Sequence, residues 1–108
     1  MPATTLAVNP PTWEMASTET LPLQFDTTPL LSGSETPSSP TAVIKDLNTG
    51  NTFAAGTGPL SGAASVSTVY VTQTVTGLVA GHSYRLLVSF TAAAGKVWTM
   101  MLDIFCKV

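Results

Sequence analysis

The chain has 108 residues, which favours a single domain, and only 9% of its residues are charged. Its formal net charge of −2 offers no basic surface for nucleic acid, and 44% hydrophobic residues argue against whole-chain disorder. The single cysteine, Cys106, excludes an internal disulfide and a zinc site built on cysteines. We therefore expect a small folded domain that is held together by packing.

The first twenty residues differ from the rest, and they predict an extended N-terminal arm, residues 1–20, ahead of a β-sandwich domain, residues 21–108. The arm has no hydrophobic period, and Pro10 and Pro11 force an extended backbone. We expect a neighbouring chain to hold this arm; a return of the arm across its own sheet is the alternative. Trp13 is the candidate anchor, because a tryptophan that fills a partner's groove often dominates binding.

Alternating polar and apolar residues predict strands along the early body. Residues 21–26 and 41–45 form the first two, and Phe53 lies in a brief third strand after a turn at residues 48–51. Residues 56–64 have the composition of a loop. Residues 65–76 are crowded with β-branched side chains and predict one further strand.

The last two strands give the clearest pattern. Tyr84, Leu86, Val88 and Phe90 share one face, and residues 97–108 alternate over their whole length. No window predicts a helix. The fold class is therefore all-β, an immunoglobulin-like β-sandwich of about six or seven antiparallel strands with the extended arm.

One face of the final strand carries apolar residues where a monomer usually places polar ones. Val97, Met101 and Phe105 lie four residues apart on the side opposite the core. Exposed apolar patches mark contact surfaces. These three residues and Trp13 are the candidate partner interface, unless the arm itself covers the strand.

The segment before Tyr84 has the form Leu-x-x-Gly-x-x-Tyr-x-Leu-x-Val, with Leu78, Gly81 and Tyr84 at its key positions. This segment resembles the tyrosine corner of immunoglobulin-like and fibronectin type III sandwiches, in which the tyrosine hydroxyl bonds to the backbone upstream. Leu86 stands where antibody domains carry a cysteine, so the resemblance is to the cysteine-free variety. It implies a structural role for Tyr84 and Gly81.

A second resemblance covers residues 17–108. The chain resembles small structural proteins of tailed bacteriophages, in which an acidic residue precedes a Leu-x-Phe-Asp strand, a Leu-x-Gly segment and a Gly-x-x-Tyr corner. It departs from them in its Thr- and Pro-rich start and in its Ala-Ala-Ala-Gly-Lys hairpin. The positions that fit are Glu19, Leu23, Phe25, Asp26, Leu31, Gly33, Gly81 and Tyr84.

This resemblance implies a non-enzymatic virion protein, made in the host cytoplasm. The role it favours is capsid decoration, with the major capsid protein and further copies of the chain as partners; a neck or tail component is the alternative. Trp13 and Tyr70 leave open a carbohydrate-binding or adhesive module.

The residues themselves point to no catalysis, metal or cofactor. His82 is the only histidine, and we expect an exposed turn residue because nothing brings Ser83 or Asp103 to it. The carboxylates are scattered and predict turn caps and edge charges. The apolar residues near the C-terminus form too short a run to cross a membrane.

Overall fold

A computed structural model describes residues 4–28, 31, 36–92 and 95–108. Gly33 of the second resemblance, residues 1–3 of the arm and residues 93–94 of the last hairpin loop lie outside these ranges. The described chain is all-β, as predicted, and forms two packed sheets. Its eight strands are β1 Thr4–Met15, β2 Thr20–Asp26, β3 Ser38–Asp46, β4 Thr52–Ala54, β5 Leu60–Ser67, β6 Tyr70–Thr76, β7 Ser83–Thr91 and β8 Val97–Cys106.

The strands divide into a sheet of five, in the order β1-β8-β7-β3-β4, and a sheet of three, in the order β2-β6-β5. The strands β2, β6 and β5 follow the order of strands B, E and D of an immunoglobulin sandwich. The strands β8, β7 and β3 follow the order of G, F and C. The fold is therefore the expected immunoglobulin-like sandwich, with eight strands instead of six or seven and with one parallel pair, β1 with β8.

The additional strand in the middle of the chain comes from a hairpin that the sequence pattern hides. Residues 65–76 do not form one strand: β5 ends at Ser67, Thr68 and Val69 make a turn, and β6 begins at Tyr70. Thr68 has a φ of 54°, a conformation that favours Gly or Asn over a β-branched residue. Residues 60–64, expected in a loop, are the first part of β5.

The N-terminal arm lies along the edge of its own sandwich. Residues 4–7 and 12–15 pair with β8, and the register shifts between Ala7 and Thr12, where Pro10 and Pro11 have no N–H to donate. A turn then carries the chain into the other sheet, where Glu19 accepts a hydrogen bond from the backbone N–H of Ala16 at 2.6 Å. The arm of this chain therefore pairs with its own sheet. This is the alternative to the expectation that a neighbouring chain holds it.

The core lies between the two sheets, on the faces that alternation predicted. The five-stranded sheet supplies most of it, including the fully buried Met15 of β1. Trp98 is half-buried against this core, and Cys106 is a fully buried free thiol. The fully buried hydrophobic side chains with an exposed fraction of 1% or less are Met15, Ile44, Leu60, Val71, Val75, Tyr84, Leu86, Val88, Phe90, Ile104 and Cys106.

Candidate interaction surface

The outer face of the five-stranded sheet is the surface on which the candidate residues converge. Because side chains alternate across a strand, residues paired in register share a face and form rows across the strands. The pairing of β3 with β7 and of β7 with β8 builds three such rows on the side away from the core. Each row has one chemical character.

The middle row is apolar. Val43, Leu87 and Met101 are paired in sequence across β3, β7 and β8, and Ala54 extends the row onto β4. Val43, Leu87 and Met101 are half-buried, because their neighbours in the sheet cover part of each, and Ala54 is exposed. Four adjacent strands therefore present a continuous apolar row on the solvent side of the sheet.

The row on one side of it is charged. Lys45, Arg85 and Asp103 are paired across the same three strands. The Arg85 Nε donates to Asp103 Oδ1 at 2.9 Å, and the hydrogen bond and charge of Asp103 raise the pKa of Arg85. No carboxylate among the described residues lies within ion-pair distance of Lys45.

The row on the other side carries hydroxyl groups. Thr41, Ser89 and Thr99 occupy it, and the Ser89 and Thr99 hydroxyls are hydrogen-bonded at 2.8 Å. Thr99 is buried although it lies on the outer face of β8. The hydroxyl row therefore satisfies part of its own hydrogen-bonding capacity within the sheet.

Two large apolar side chains stand at the end of the face beyond the charged row. Phe105 of β8 is paired with Ser83, and the backbone N–H of Leu47 donates to Ser83 O at 2.8 Å from the opposite side. Leu47 and Phe105 are therefore level with each other across β7. Each keeps 43% of its surface exposed, which is unusual for large apolar residues that only pack a core.

Of the four candidate interface residues, the structure brings three onto this face. Val97, Met101 and Phe105 all lie on the outer side of β8, with Val97 paired with Thr91. Trp13 of β1 is paired with the buried Ile104, and paired residues point to the same side of a sheet. Trp13 thus belongs to the opposite side from Phe105, at the sheet edge, where 41% of its surface is exposed.

The tyrosine-corner residues sit at the entry to β7. Tyr84 is buried, and its hydroxyl accepts a hydrogen bond from the backbone N–H of Val79 at 2.8 Å. This is the upstream backbone bond that a tyrosine corner makes. Gly81 has a φ of 83°, which lets the tight turn form, and its N–H donates to Cys106 O at 2.7 Å. Burial raises the pKa of Tyr84.

The turn that leads into this corner contains a histidine–aspartate hydrogen bond that the sequence did not predict. His82 is half-buried, not exposed as expected, because its Nδ1 meets Asp46 Oδ2 at 2.8 Å. Asp46 Oδ1 also accepts hydrogen bonds from the N–H groups of Asn48 and Thr49. Burial alone raises the pKa of Asp46, but these hydrogen bonds outweigh it, and the net shift lowers that pKa.

The contact between His82 and Asp46 joins two turns. The other polar groups near His82 have hydrogen-bond partners of their own. Asp103, the other candidate partner for His82, is engaged with Arg85. Ser83 contributes its backbone N–H to Asn48 Oδ1 at 2.8 Å. Within residues 4–28, 31, 36–92 and 95–108, no group of three or more His, Cys, Asp or Glu side chains could hold a metal ion.

The outer face of the three-stranded sheet has a different character. Its central strand β6 presents Thr72, Thr74 and Thr76, and the exposed Tyr70 stands at one end, paired with Asp26 and Ser67. Trp13 and Tyr70, the aromatic residues considered for sugar stacking, therefore belong to strands of different sheets.

Sequence reasoning missed Val43 and Lys45, which complete the rows on β3, and Leu47, which follows the end of that strand. The signal for Leu87 was present, since it is the one apolar residue between Arg85 and Ser89 on the polar side of its strand. The contribution of β3 had no such signal, because only the register of β3 against β7 sets its residues level with those of β8.

Comparisons with known proteins add no family and no relative to these geometric observations. No protein-family model matches the chain, and no curated protein matches it. In the part of the chain that the structure describes, no helix is long and apolar enough to span a membrane.

Proposed function

We propose that this chain is a non-enzymatic structural protein of a virion, a capsid decoration protein that binds neighbouring subunits through its outer sheet face and its N-terminal strand. The observation that carries the proposal is the apolar row of Ala54, Val43, Leu87 and Met101 on the solvent side of the five-stranded sheet. The resemblance to tailed-phage structural proteins supplies the virion as the setting.

A contact of ordinary interface size on this face would bury enough apolar surface for stable binding. A standard interface covers about 800 Å² on each partner, of which somewhat more than half is apolar. At about 25 cal/mol per Å² of apolar surface, counted on both partners, such a contact contributes about 20 kcal/mol before the entropy of association is subtracted. Repetition of the contact over a symmetric shell raises the effective affinity further.

The N-terminal strand contributes by exchange between subunits. The strand β1 pairs with β8 alone, and its pairing is interrupted between Ala7 and Thr12. The β1 of a neighbouring copy forms the same contacts with β8, so exchange changes little besides the conformation of the turn at residues 16–19. A crowded shell, in which β8 of the next subunit is close, favours that exchange.

The test of the proposed location uses virions from cells that produce the chain. We expect immunogold electron microscopy, with an antiserum against the chain, to label the capsid surface in regular numbers. Label confined to the neck or tail would replace decoration by the alternative virion role. Purified virions that contain no copies of the chain would refute the proposal, and binding of the chain to a glycan array would then favour the carbohydrate-binding alternative.

The test of the face uses the substitution Leu87→Lys, which places a charge at the centre of the apolar row. We expect this variant to fold and to be lost from virions by a factor of about ten or more. The control is Thr74→Lys, which adds the same charge to the outer face of the three-stranded sheet. Equal incorporation of the two variants would show that the five-stranded face is not the binding surface.

A further inference from the structure

The strands on the two sides of β7 carry matching chemistry at four successive levels of the outer face; at the next level, Thr91 of β7 stands between Val97 of β8 and Ser38 of β3, which do not match. Two of the matched pairs are apolar, one joins opposite charges, and one joins hydroxyl groups. Each pair is level across β7, as the register of the sheet and the bond from Leu47 to Ser83 define it. The pairs, from β3 and its end to β8, are Leu47 with Phe105, Lys45 with Asp103, Val43 with Met101, and Thr41 with Thr99.

From this pattern we infer that the occupant of the outer face is a second copy of the chain, related to the first by a two-fold axis that runs along β7. The inference rests on the binding face of the proposed function and names its partner. Rotation about that axis lays β3 of one copy over β8 of the other. Each matched pair is then formed twice, once on either side of the axis.

The charges decide in favour of this arrangement. Lys45, which has no described carboxylate within ion-pair distance, faces Asp103 of the second copy, and the reciprocal pair forms across the axis. The two Arg85 side chains meet near the axis, where the Asp103 bonded to each of them offsets their repulsion. Opposed charges of this kind fix the register of an interface and exclude wrong partners.

The apolar residues agree with the same axis. Leu87 meets Leu87 of the second copy, with Val43 and Met101 closing over each other on both sides. Phe105 and Leu47, each 43% exposed in the single chain, cover one another. Face-to-face sheets pack with their strands within about 30° of each other, which an axis along a strand permits.

A two-fold axis at right angles to the strands does not give this fit. That axis, laid along the apolar row, sets the charged row of each copy over the hydroxyl row of the other. Lys45 then faces hydroxyl groups, and although Phe105 faces Val97, Leu47 faces the polar start of β3. Of the two axes, the one along β7 pairs Lys45 with an opposite charge and leaves the charged, apolar and hydroxyl rows each over their own kind.

Sedimentation equilibrium of the purified chain, with paired charge reversals, tests the inference. We expect the wild type to dimerise, and Lys45→Glu or Asp103→Lys alone to weaken the dimer by about tenfold or more, because each places like charges face to face twice. An equimolar mixture of the two variants restores both pairs, although one Arg85 has lost its Asp103, so the mixture should dimerise about tenfold more tightly than either variant alone. The control, Thr74→Lys, should dimerise like the wild type.

A crosslink provides a second measurement that does not depend on charge. Leu87→Cys places two thiols together on the axis, and mild oxidation should give a covalent dimer. Thr74→Cys, on the other sheet, should give none. The native Cys106 is fully buried and is the same in both variants.

Two results would overturn the inference: a wild-type chain that stays monomeric up to about 1 mM, or reversed-charge variants that dimerise as the wild type does. These results are distinct from failure of the proposed function. If the wild type is monomeric while Leu87→Lys is lost from virions, the face binds a different protein, and only the two-fold pairing is wrong. If the chain dimerises as described but is missing from virions, the pairing stands and the virion role falls.

Discussion

Asp46 holds together the end of the sandwich at which two turns meet. It is buried, and its two carboxylate oxygens accept hydrogen bonds from His82 and from the backbone of Asn48 and Thr49. The sequence predicted a turn cap for this class of residue, and the backbone bonds confirm that role for Asp46. The partnership with His82 was not predictable, because 36 residues separate them and only the pairing of β3 with β7 joins them.

The lowered pKa of Asp46 predicts a dependence of stability on pH. A carboxyl group whose folded pKa lies below its unfolded value, near 3.8, stabilises the fold fully above that value. This stabilisation is lost as the pH falls through the folded pKa. We expect the free energy of unfolding, measured by urea titration between pH 7 and pH 2.5, to fall steeply in the acid range.

Asp46→Asn should lower the free energy of unfolding at pH 7 by about 1 to 3 kcal/mol, because the hydrogen bonds from His82, Asn48 and Thr49 lose a charged acceptor. The free energy of unfolding of this variant should also fall less steeply in acid than that of the wild type, since the titrating group is gone. Parallel acid limbs for the two proteins would contradict the assignment of the pH dependence to Asp46.

Among the elements, the hairpin of β5 and β6 shows where sequence patterns fail. The alternation of residues 65–76 continues through the turn, and Thr68 and Val69 give none of the Gly or Asn signals that mark tight turns. The turn at residues 48–51, with Gly50 at a φ of 81°, carried those signals and was predicted. The pairing of β5 with β6 imposes the turn at Thr68 and Val69, although these residues do not favour a turn.

Thr68→Gly should therefore stabilise the protein by about 1 kcal/mol, because glycine adopts a positive φ without the steric penalty of a β-branched side chain. Thermal unfolding followed by circular dichroism measures the change. Thr74→Gly, in the middle of β6, is the matched control and should destabilise by about 0.5 to 1 kcal/mol. A Thr68→Gly variant that is less stable than the wild type would show that the hydroxyl bond from Thr68 to Ser67 O outweighs the relief of strain.

At the scale of the whole molecule, the arm is the part that the sequence described least well. Its extended conformation was predicted, but its lack of alternation hid the strand that pairs with β8. Met15, at the end of β1, is fully buried in the core. Deletion of residues 1–20 would consequently open the core, so the exchange of arms between subunits needs a test that leaves the arm in place.

The substitution Met15→Cys provides that test, because Met15 is paired with the native Cys106 across β1 and β8. Neighbouring strands hold such residues at a distance that a disulfide can span. After oxidation, non-reducing gels of the free chain should show a monomer, and assembled material should show covalent oligomers from exchanged arms. Cys106→Ala in the same background should abolish the internal disulfide of the free chain and the covalent oligomers of the assembled material, leaving uncrosslinked monomer in both. Monomers alone in assembled material would rule out the exchange.

The two edges of the five-stranded sheet set a limit on how copies of this protein associate. On the outer edge, Pro10 and Pro11 remove two backbone donors from β1, and the opposite edge, β4, has only three residues. Neither edge offers an incoming strand a long ladder of hydrogen bonds, so lateral growth through this sheet is suppressed. If the flat face of this sheet binds a partner as proposed, the chain can then accumulate to high concentration and still form finite complexes.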